Sequence, residues 1–340
     1  MGMIRKIGGG LDVASFDVPN APPLNGMVGE APTFRAMSAQ IRRIALAAAP
    51  VLIEGETGVG KELAARAIHY LGERRDRPFV PLNCGAMPDN LIESELFGHV
   101  RGAFTDAVRE RCGVIRQAAG GTLFLDEVDT LSPKAQVVLL RFLQDRHYRP
   151  VGDDRLLASD ARIIAASNRP LHHAVASGCF RADLLYRVNI LSLRVPPLRE
   201  RAGDVALLAR HCAERFCVQY GLAHKTFEAA TLDWLCARDW PGNVRELENC
   251  VHRLVLLADG DDVIRHQDVD AVAADGGASP RSFHEAKALA IAQFERRYLA
   301  ELLAHADGNV SAAARLAQKE RRAFGKLLKK HGIGRTSFAH

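Results

Sequence analysis

Residues Gly55-Glu56-Thr57-Gly58-Val59-Gly60-Lys61 set three glycines and a lysine at the spacing GxxxxGK. Glycines so placed let successive backbone N–H groups turn inward and cradle phosphate oxygens, while the lysine ammonium neutralises charge on the β- and γ-phosphates. An apolar run, Pro50-Val51-Leu52-Ile53-Glu54, precedes the loop, and a helical pattern over Glu62–Leu71 follows it. The helix then turns its positive dipole end toward the same anion. Strand, loop and helix in that order is the setting the motif needs, so the segment reads as a nucleoside triphosphate site.

Glu62 stands where a Ser or Thr usually ligates magnesium, so the metal must rest on another carboxylate and on the phosphates. A second motif supplies it. Gly121-Thr122-Leu123-Phe124-Leu125-Asp126-Glu127 is an apolar strand that delivers two carboxylates at its C-terminal end. Asp126 suits magnesium, and Glu127 suits orienting or activating the attacking water. Acidic residues after a strand mean little alone; paired with a phosphate loop 65 residues upstream of Asp126 they indicate nucleotide hydrolysis.

Parallel strands alternating with helices are what hold such groups together. Runs at 50–54, 79–82, 122–125 and 162–166 read as buried strands separated by helical patterns, which implies a doubly wound parallel sheet over residues 25–195. From Leu198 to about 260 the pattern is helical with no strand candidates, giving a helical subdomain over 196–262. Residues 263–281, Gly/Ala/Pro-rich from 270 on, read as a linker, 282–340 as a second all-helical domain, and 1–24 as a flexible leader too short for a sensory domain.

Composition narrows the setting. Apolar residues make up 48% and charged residues 25%, ordinary for a globular chain. The seven cysteines form no CxxC pair, which fits reduced thiols rather than a zinc ribbon or a disulfide framework. No apolar run is long enough to span a membrane and no signal-peptide core is present, so a cytoplasmic location is expected. The net charge of +5 is uneven: residues 281–340 hold 12 Lys+Arg against 5 Asp+Glu, and the rest 33 against 35. A basic end on a neutral body points to a polyanion, though a solvated basic face has the same composition.

Further motifs appear in a fixed order: Glu95-Leu96-Phe97-Gly98-His99, Gly102-Ala103-Phe104-Thr105-Asp106-Ala107, Phe180-Arg181-Ala182-Asp183-Leu184-Leu185-Tyr186-Arg187, Pro196-Pro197-Leu198-Arg199-Glu200-Arg201 and Trp240-Pro241-Gly242-Asn243-Val244-Arg245-Glu246-Leu247. With the two site motifs, the segment 25–262 resembles the AAA+ domain of bacterial enhancer-binding proteins, the activators of sigma-54 RNA polymerase, in which Glu at position 62 is usual. The resemblance implies an α/β AAA+ P-loop NTPase, a doubly wound parallel sheet with a helical lid. ATP and Mg2+ are the implied cofactors, with the nucleotide on Gly55, Glu56, Thr57, Gly58, Val59, Gly60, Lys61 and Glu62. By the same resemblance Asn168 is a sensor of the γ-phosphate and Asn83 holds Glu127 in an inactive pose. Arg181 and Arg187 are arginine fingers acting in a neighbouring subunit, and Arg245 is a second sensor in the lid. Fingers supplied in trans require a ring, so a homo-oligomer passing from dimer to hexamer is implied.

The loop that touches sigma-54 in that family reads GAFTGA; here Phe104 and Thr105 are kept and Asp106 replaces Gly. Asp restricts the backbone and adds charge at a contact surface. Two readings stay open: a loop retuned for its sigma factor, or a regulator of another polymerase form. At the C-terminal end, Asp307-Gly308-Asn309 separates a long amphipathic pattern, 285–305, from Val310–Ala317, and a last helix is expected over 319–330. The run resembles the Fis-type helix-turn-helix that closes the family. Lys319, Arg321, Arg322, Lys326, Lys329 and Lys330 would meet phosphates and guanine edges of upstream DNA. A basic helical dimerisation module and a regulator with a vestigial ATPase are the alternatives. Without a sensory domain, control would fall to a separate regulatory protein, to expression level, or to assembly on DNA.

Overall fold

The protein is described by a computed structural model covering residues 24, 26–86, 88, 91–104, 107–258, 262–265, 299, 302, 306, 309–317, 321, 324–325 and 328. It divides into two compact units at Ala273/Ala274.

In chain order the first unit contains α1 (Pro32–Ala45), β1 (Val51–Glu54), α2 (Lys61–Tyr70), β2 (Phe79–Asn83), α3 (Ile92–Phe97), β3 (Gly98–His99), β4 (Arg111–Cys112), α4 (Val114–Gln117) and β5 (Thr122–Asp126). Then come α5 (Pro133–Asp145), β6 (His147–Tyr148), β7 (Leu157–Ala158), β8 (Arg162–Ser167), α6 (Leu171–Ala176), α7 (Ala182–Val188) and β9 (Leu191–Arg194). The helical part follows as α8 (Asp204–Tyr220), β10 (Thr226–Phe227), α9 (Ala229–Cys236), α10 (Asn243–Leu257) and β11 (Val263–Ile264).

Five strands form one parallel sheet in the order β2-β5-β8-β1-β9. The four expected strands are present within a residue of their expected ends. The edge strand β9 was not expected: its four residues alternate only Leu191 and Leu193 inward, too short a pattern to stand out. Period-two alternation assigns the two cores. Val51, Ile53, Phe124, Ile164 and Ala166 face α1 and α2, while Leu52, Leu123, Leu125, Ile163 and Ala165 face the layer built by α3 to α7. Central β8 is buried at all six positions, as a strand covered on both faces must be. Each fully buried Leu or Ile here contributes about 1.5–3 kcal/mol. Because every strand is parallel, the carboxyl ends of β1, β5 and β8 share one edge, and β2 pairs Asn83 with Asp126 there.

Two short ribbons leave the sheet. Gly98 pairs with Cys112 and His99 with Arg111 at the base of the 98–112 loop, while β6 and β7 close a second hairpin. They are joined: Val151 N–H donates to Gly98 O at 2.8 Å and Val100 N–H to Val151 O at 3.1 Å.

The helical part packs α8 against α10 around Leu208, Phe216, Trp240, Leu247 and Val251. Residues 198–260 were expected to be all-helical and 263–264 to begin the linker; both expectations are corrected. Thr226–Phe227 pairs in parallel with Val263–Ile264, and Ile264 is fully buried, so this pair seals the end of the helical core.

In the second unit, α11 (Val310–Leu316) is capped by Asn309, whose Oδ1 accepts Ser311 N–H at 3.0 Å and Ala312 N–H at 3.2 Å. Leu299, Val310, Ala313, Ala314, Phe324 and Leu328 form its apolar cluster.

Candidate active site

The loop between β1 and α2 wraps the site. Gly58 (φ +80°) and Gly60 (φ +98°) adopt backbone that side chains rarely allow. A Cβ on Gly58 would also lie 2.2 Å from Gly242 O, so this glycine is required twice. Lys61 opens α2, is 7% exposed, and donates through Nζ to Gly55 O (2.8 Å), Glu56 O (3.0 Å) and Asn168 Oδ1 (2.7 Å). Burial lowers its pKa, opposed by the nearby Asp126, Asp129 and Glu127 carboxylates.

Asn168, just past β8, joins the two motifs. Its Nδ2 donates to Glu127 Oε1 at 3.2 Å and its backbone N–H to Asp129 Oδ1 at 3.2 Å. Glu127 sits in the left-handed region (φ +54°), a strained backbone that non-glycine residues rarely adopt outside functional sites. Asp126 ends β5; burial raises its pKa, against the Glu127 N–H that its Oδ1 accepts at 2.9 Å and the charge of Lys61. The Asp126 Oδ2 is left as a hard oxygen donor, the kind magnesium takes when phosphates and water complete its shell.

These groups line a cavity of 270 Å³ between the phosphate loop and the helical part. Thr57–Glu62, Asp126, Glu127 and Asn168 line it from the two motifs; Met27, Val28, Leu208, Cys212 and Val244 add apolar surface, and Arg201, His211, Arg215, Arg245 and Glu248 add charged or polar groups. Glu62 pairs with Arg66 at 2.7 Å.

Asn83 does not bond Glu127 here. Its Oδ1 accepts Gly85 N–H at 2.8 Å and Ala86 N–H at 3.2 Å, capping a short turn. The two side chains still flank one glycine, since a Cβ on Gly85 would meet Glu127 Oε2 at 2.6 Å and Asn83 Oδ1 at 3.3 Å. Arg181 and Arg187 lie outside the cavity, both exposed, with Arg181 paired to Asp183 at 2.7 Å. Phe104 is 38% exposed and its ring meets His99 edge-on at 4.9 Å. Thr105, Asp106, Lys319, Arg322, Lys326, Lys329 and Lys330 lie outside the described residues; Arg321 is exposed and helical.

Three residue groups escaped the sequence reading. Arg199 forks onto Glu56 at 2.7 and 2.5 Å, and these hydrogen bonds hold Glu56 down to a pKa of about 2. Asn243 is fully buried at φ +54°; its Nδ2 donates to Glu56 Oε2 (3.2 Å) and Thr57 O (3.1 Å), and its Oδ1 accepts Leu198 N–H (2.8 Å). Asn243 and Arg245, whose N–H meets Gly58 O at 3.3 Å, fasten α10 to the phosphate loop, and Arg199 ties the 198–200 turn to the same loop. Finally, Arg201 and Asp204 pair at 2.8 Å while 3% and 1% exposed. Asp204 Oδ1 accepts Glu30 and Ala31 N–H, and Arg201 donates to Val28 O and covers the Phe34 ring, so the pair pins residues 28–34 beside the cavity. The clues were local motifs, Arg199–Arg201 and Trp240–Leu247, whose partners lie far off in the chain.

Residues 27–194 match the family described as the sigma-54 interaction domain, and residues 199–285 match the AAA+ ATPase lid domain. The transcriptional regulatory protein GlrR of Escherichia coli (strain K12) is 41% identical over 92% of this chain and 69% of its own length. The response regulator protein PilR of Pseudomonas aeruginosa is 40% identical over 98% of this chain and 76% of its own length. The crystal structure of NtrX from Brucella abortus in complex with ATP shares 31% identity and a TM-score of 0.67, over 91% of this chain and 69% of that one.

Proposed function

The chain belongs to the family of sigma-54-dependent transcriptional regulators, and on that premise we propose that it hydrolyses ATP and spends the energy remodelling sigma-54 RNA polymerase holoenzyme toward the open complex. The observation that carries this reading is the convergence of Lys61, Asn168 and Glu127 through two hydrogen bonds inside one cavity.

Two backbone carbonyls, of Gly55 and Glu56, aim the Lys61 ammonium, and the N–H now given to Asn168 is the one that meets the β,γ-phosphate oxygens. Asp126, with phosphate oxygens, would hold Mg2+, which when bound neutralises charge on the phosphates. Glu127 keeps one oxygen on Asn168 and turns the other to the attacking water, accepting its proton as the γ-phosphoryl leaves. Arg245 reads the phosphates from the lid.

Arg181 and Arg187 act in the neighbouring subunit of a hexamer assembled from dimers. In support, neither lines the cavity of its own chain. Tyr186, 76% exposed, and Ile190, 57% exposed, mark the same segment as a surface to be covered. Phe104, with Thr105 and Asp106, contacts the sigma factor from the 98–112 loop. The second unit binds upstream DNA as a helix-turn-helix through Arg321 and the basic residues around it. The setting is the cytoplasm; no helix among the described residues is long and apolar enough to cross a membrane.

Open-complex formation with sigma-54 holoenzyme, promoter DNA and ATP tests the reading. Activity of the native protein is expected. No activity, together with activity of the Asp106→Gly variant, would move it to another polymerase form.

A further inference from the structure

Gln136 lies on α5 and is 1% exposed, a buried amide away from the cavity wall. Its Nε2 donates to Leu131 O at 2.9 Å and to Cys179 O at 3.0 Å, and its Oε1 accepts Arg181 N–H at 2.9 Å. Two carbonyls and one N–H settle the amide's orientation, because the flipped amide would face donor to donor and acceptor to acceptor. Leu131 closes the turn that starts at Glu127: Thr130 donates to Glu127 O through N–H at 3.0 Å and through Oγ1 at 2.7 Å, and Leu131 N–H reaches Val128 O. On the other side, Arg181 is the N-cap of α7, and Phe180 beside it is buried.

A continuous hydrogen-bonded path therefore runs from Lys61 through Asn168 and Glu127 to the 127–131 turn, then through Gln136 to the backbone of Arg181. We propose that Gln136 is a positioning residue that ties Arg181 to the Glu127–Leu131 turn of its own site, so that the nucleotide state of one protomer sets how well it serves its neighbour. The proposal rests on the reading of Arg181 as a finger in trans. Glutamine is the side chain long enough to span α5 to both partners with two donors and an acceptor. Leucine of similar volume would leave two carbonyls and an N–H unpaired and let the Arg181 backbone drift.

Full-chain Gln136→Leu protein is compared with Lys61→Ala, which keeps its fingers but has a dead site. Gln136→Leu alone is expected to bind a fluorescent ATP analogue as the parent does while hydrolysing ATP about 10²-fold more slowly, the scale of a displaced reacting group. Mixed with Lys61→Ala, it is expected to recover hydrolysis well above the sum of the two, as an Arg181→Ala plus Lys61→Ala mixture does. The Hill coefficient for ATP is expected to fall from the parental value in Gln136→Leu alone. Recovery with Arg181→Ala but none with Gln136→Leu would place the defect in Gln136's own site and overturn the proposal; so would an unchanged Hill coefficient. Failure of the Arg181→Ala mixture as well would remove the trans finger itself, and with it the proposal. If Gln136→Leu does not fold, Gln136→Met, flexible and of similar volume, is mixed instead with the same outcomes.

Discussion

Asn168 accepts the Lys61 ammonium on Oδ1 at 2.7 Å and donates to Glu127 Oε1 from Nδ2 at 3.2 Å, so one amide spans the phosphate loop and the β5 carboxylates. Neither residue can shift without the other feeling it. Replacing the amide separates the two halves of the site while leaving the loop intact. Asn168→Ala is expected to lower kcat for ATP about 10²-fold with little change in KM, measured by steady-state phosphate release. A large rise in KM with unchanged kcat would mean that Asn168 serves binding alone.

Arg201 and Asp204 are buried together, so removing the acid strands a guanidinium in the interior. Asp204→Ala is expected to destabilise the fold by about 3–5 kcal/mol. It also frees the N–H groups of Glu30 and Ala31 beside the apolar surface of the cavity. Urea unfolding and nucleotide affinity should both show the loss.

His69 is 1% exposed between Thr122 Oγ1 (2.9 Å) and Arg77 O (3.1 Å), and burial lowers its pKa below 6.5. The folded ring resists a proton that the unfolded ring takes up at 6.5. Its contribution to stability is therefore complete above that pH and is lost as pH falls toward the folded value. The thermal midpoint of the parent is expected to drop between pH 7.5 and 5.5 more steeply than that of His69→Gln.

Glu56 follows the same sign at lower pH. The Arg199 fork holds its pKa at about 2 against an ordinary 4.5, so the latch is whole above 4.5 and weakens as pH falls toward 2. At neutral pH, Arg199→Ala is expected to raise KM for ATP several-fold, because the 198–200 turn, which Asn243 Oδ1 holds to α10 through Leu198 N–H, loses its own tie to the phosphate loop. An unchanged KM would show that Asn243 and Arg245 suffice.

How much of this was legible in the chain depended on range. The phosphate loop and the β5 motif are contiguous and carry their own context, and the four core strands announced themselves as apolar runs. Asn243 could not be read the same way, since its partners Glu56 and Thr57 are 187 and 186 residues away. Gln136 looks like any polar position on an amphipathic helix until folding places Leu131 and Arg181 around it. The pairing of Thr226–Phe227 with Val263–Ile264 was missed because two-residue strands have no periodicity to detect.

Glu127→Gln tests the central claim most directly, because it keeps size and hydrogen bonding while removing the base. ATP binding, ATP hydrolysis and open-complex formation are measured on the same preparation. Parental affinity, hydrolysis slowed by about 10²-fold or more, and no open complexes are expected. Hydrolysis and open-complex formation at the parental rate would contradict the assignment of ATP cleavage to this site.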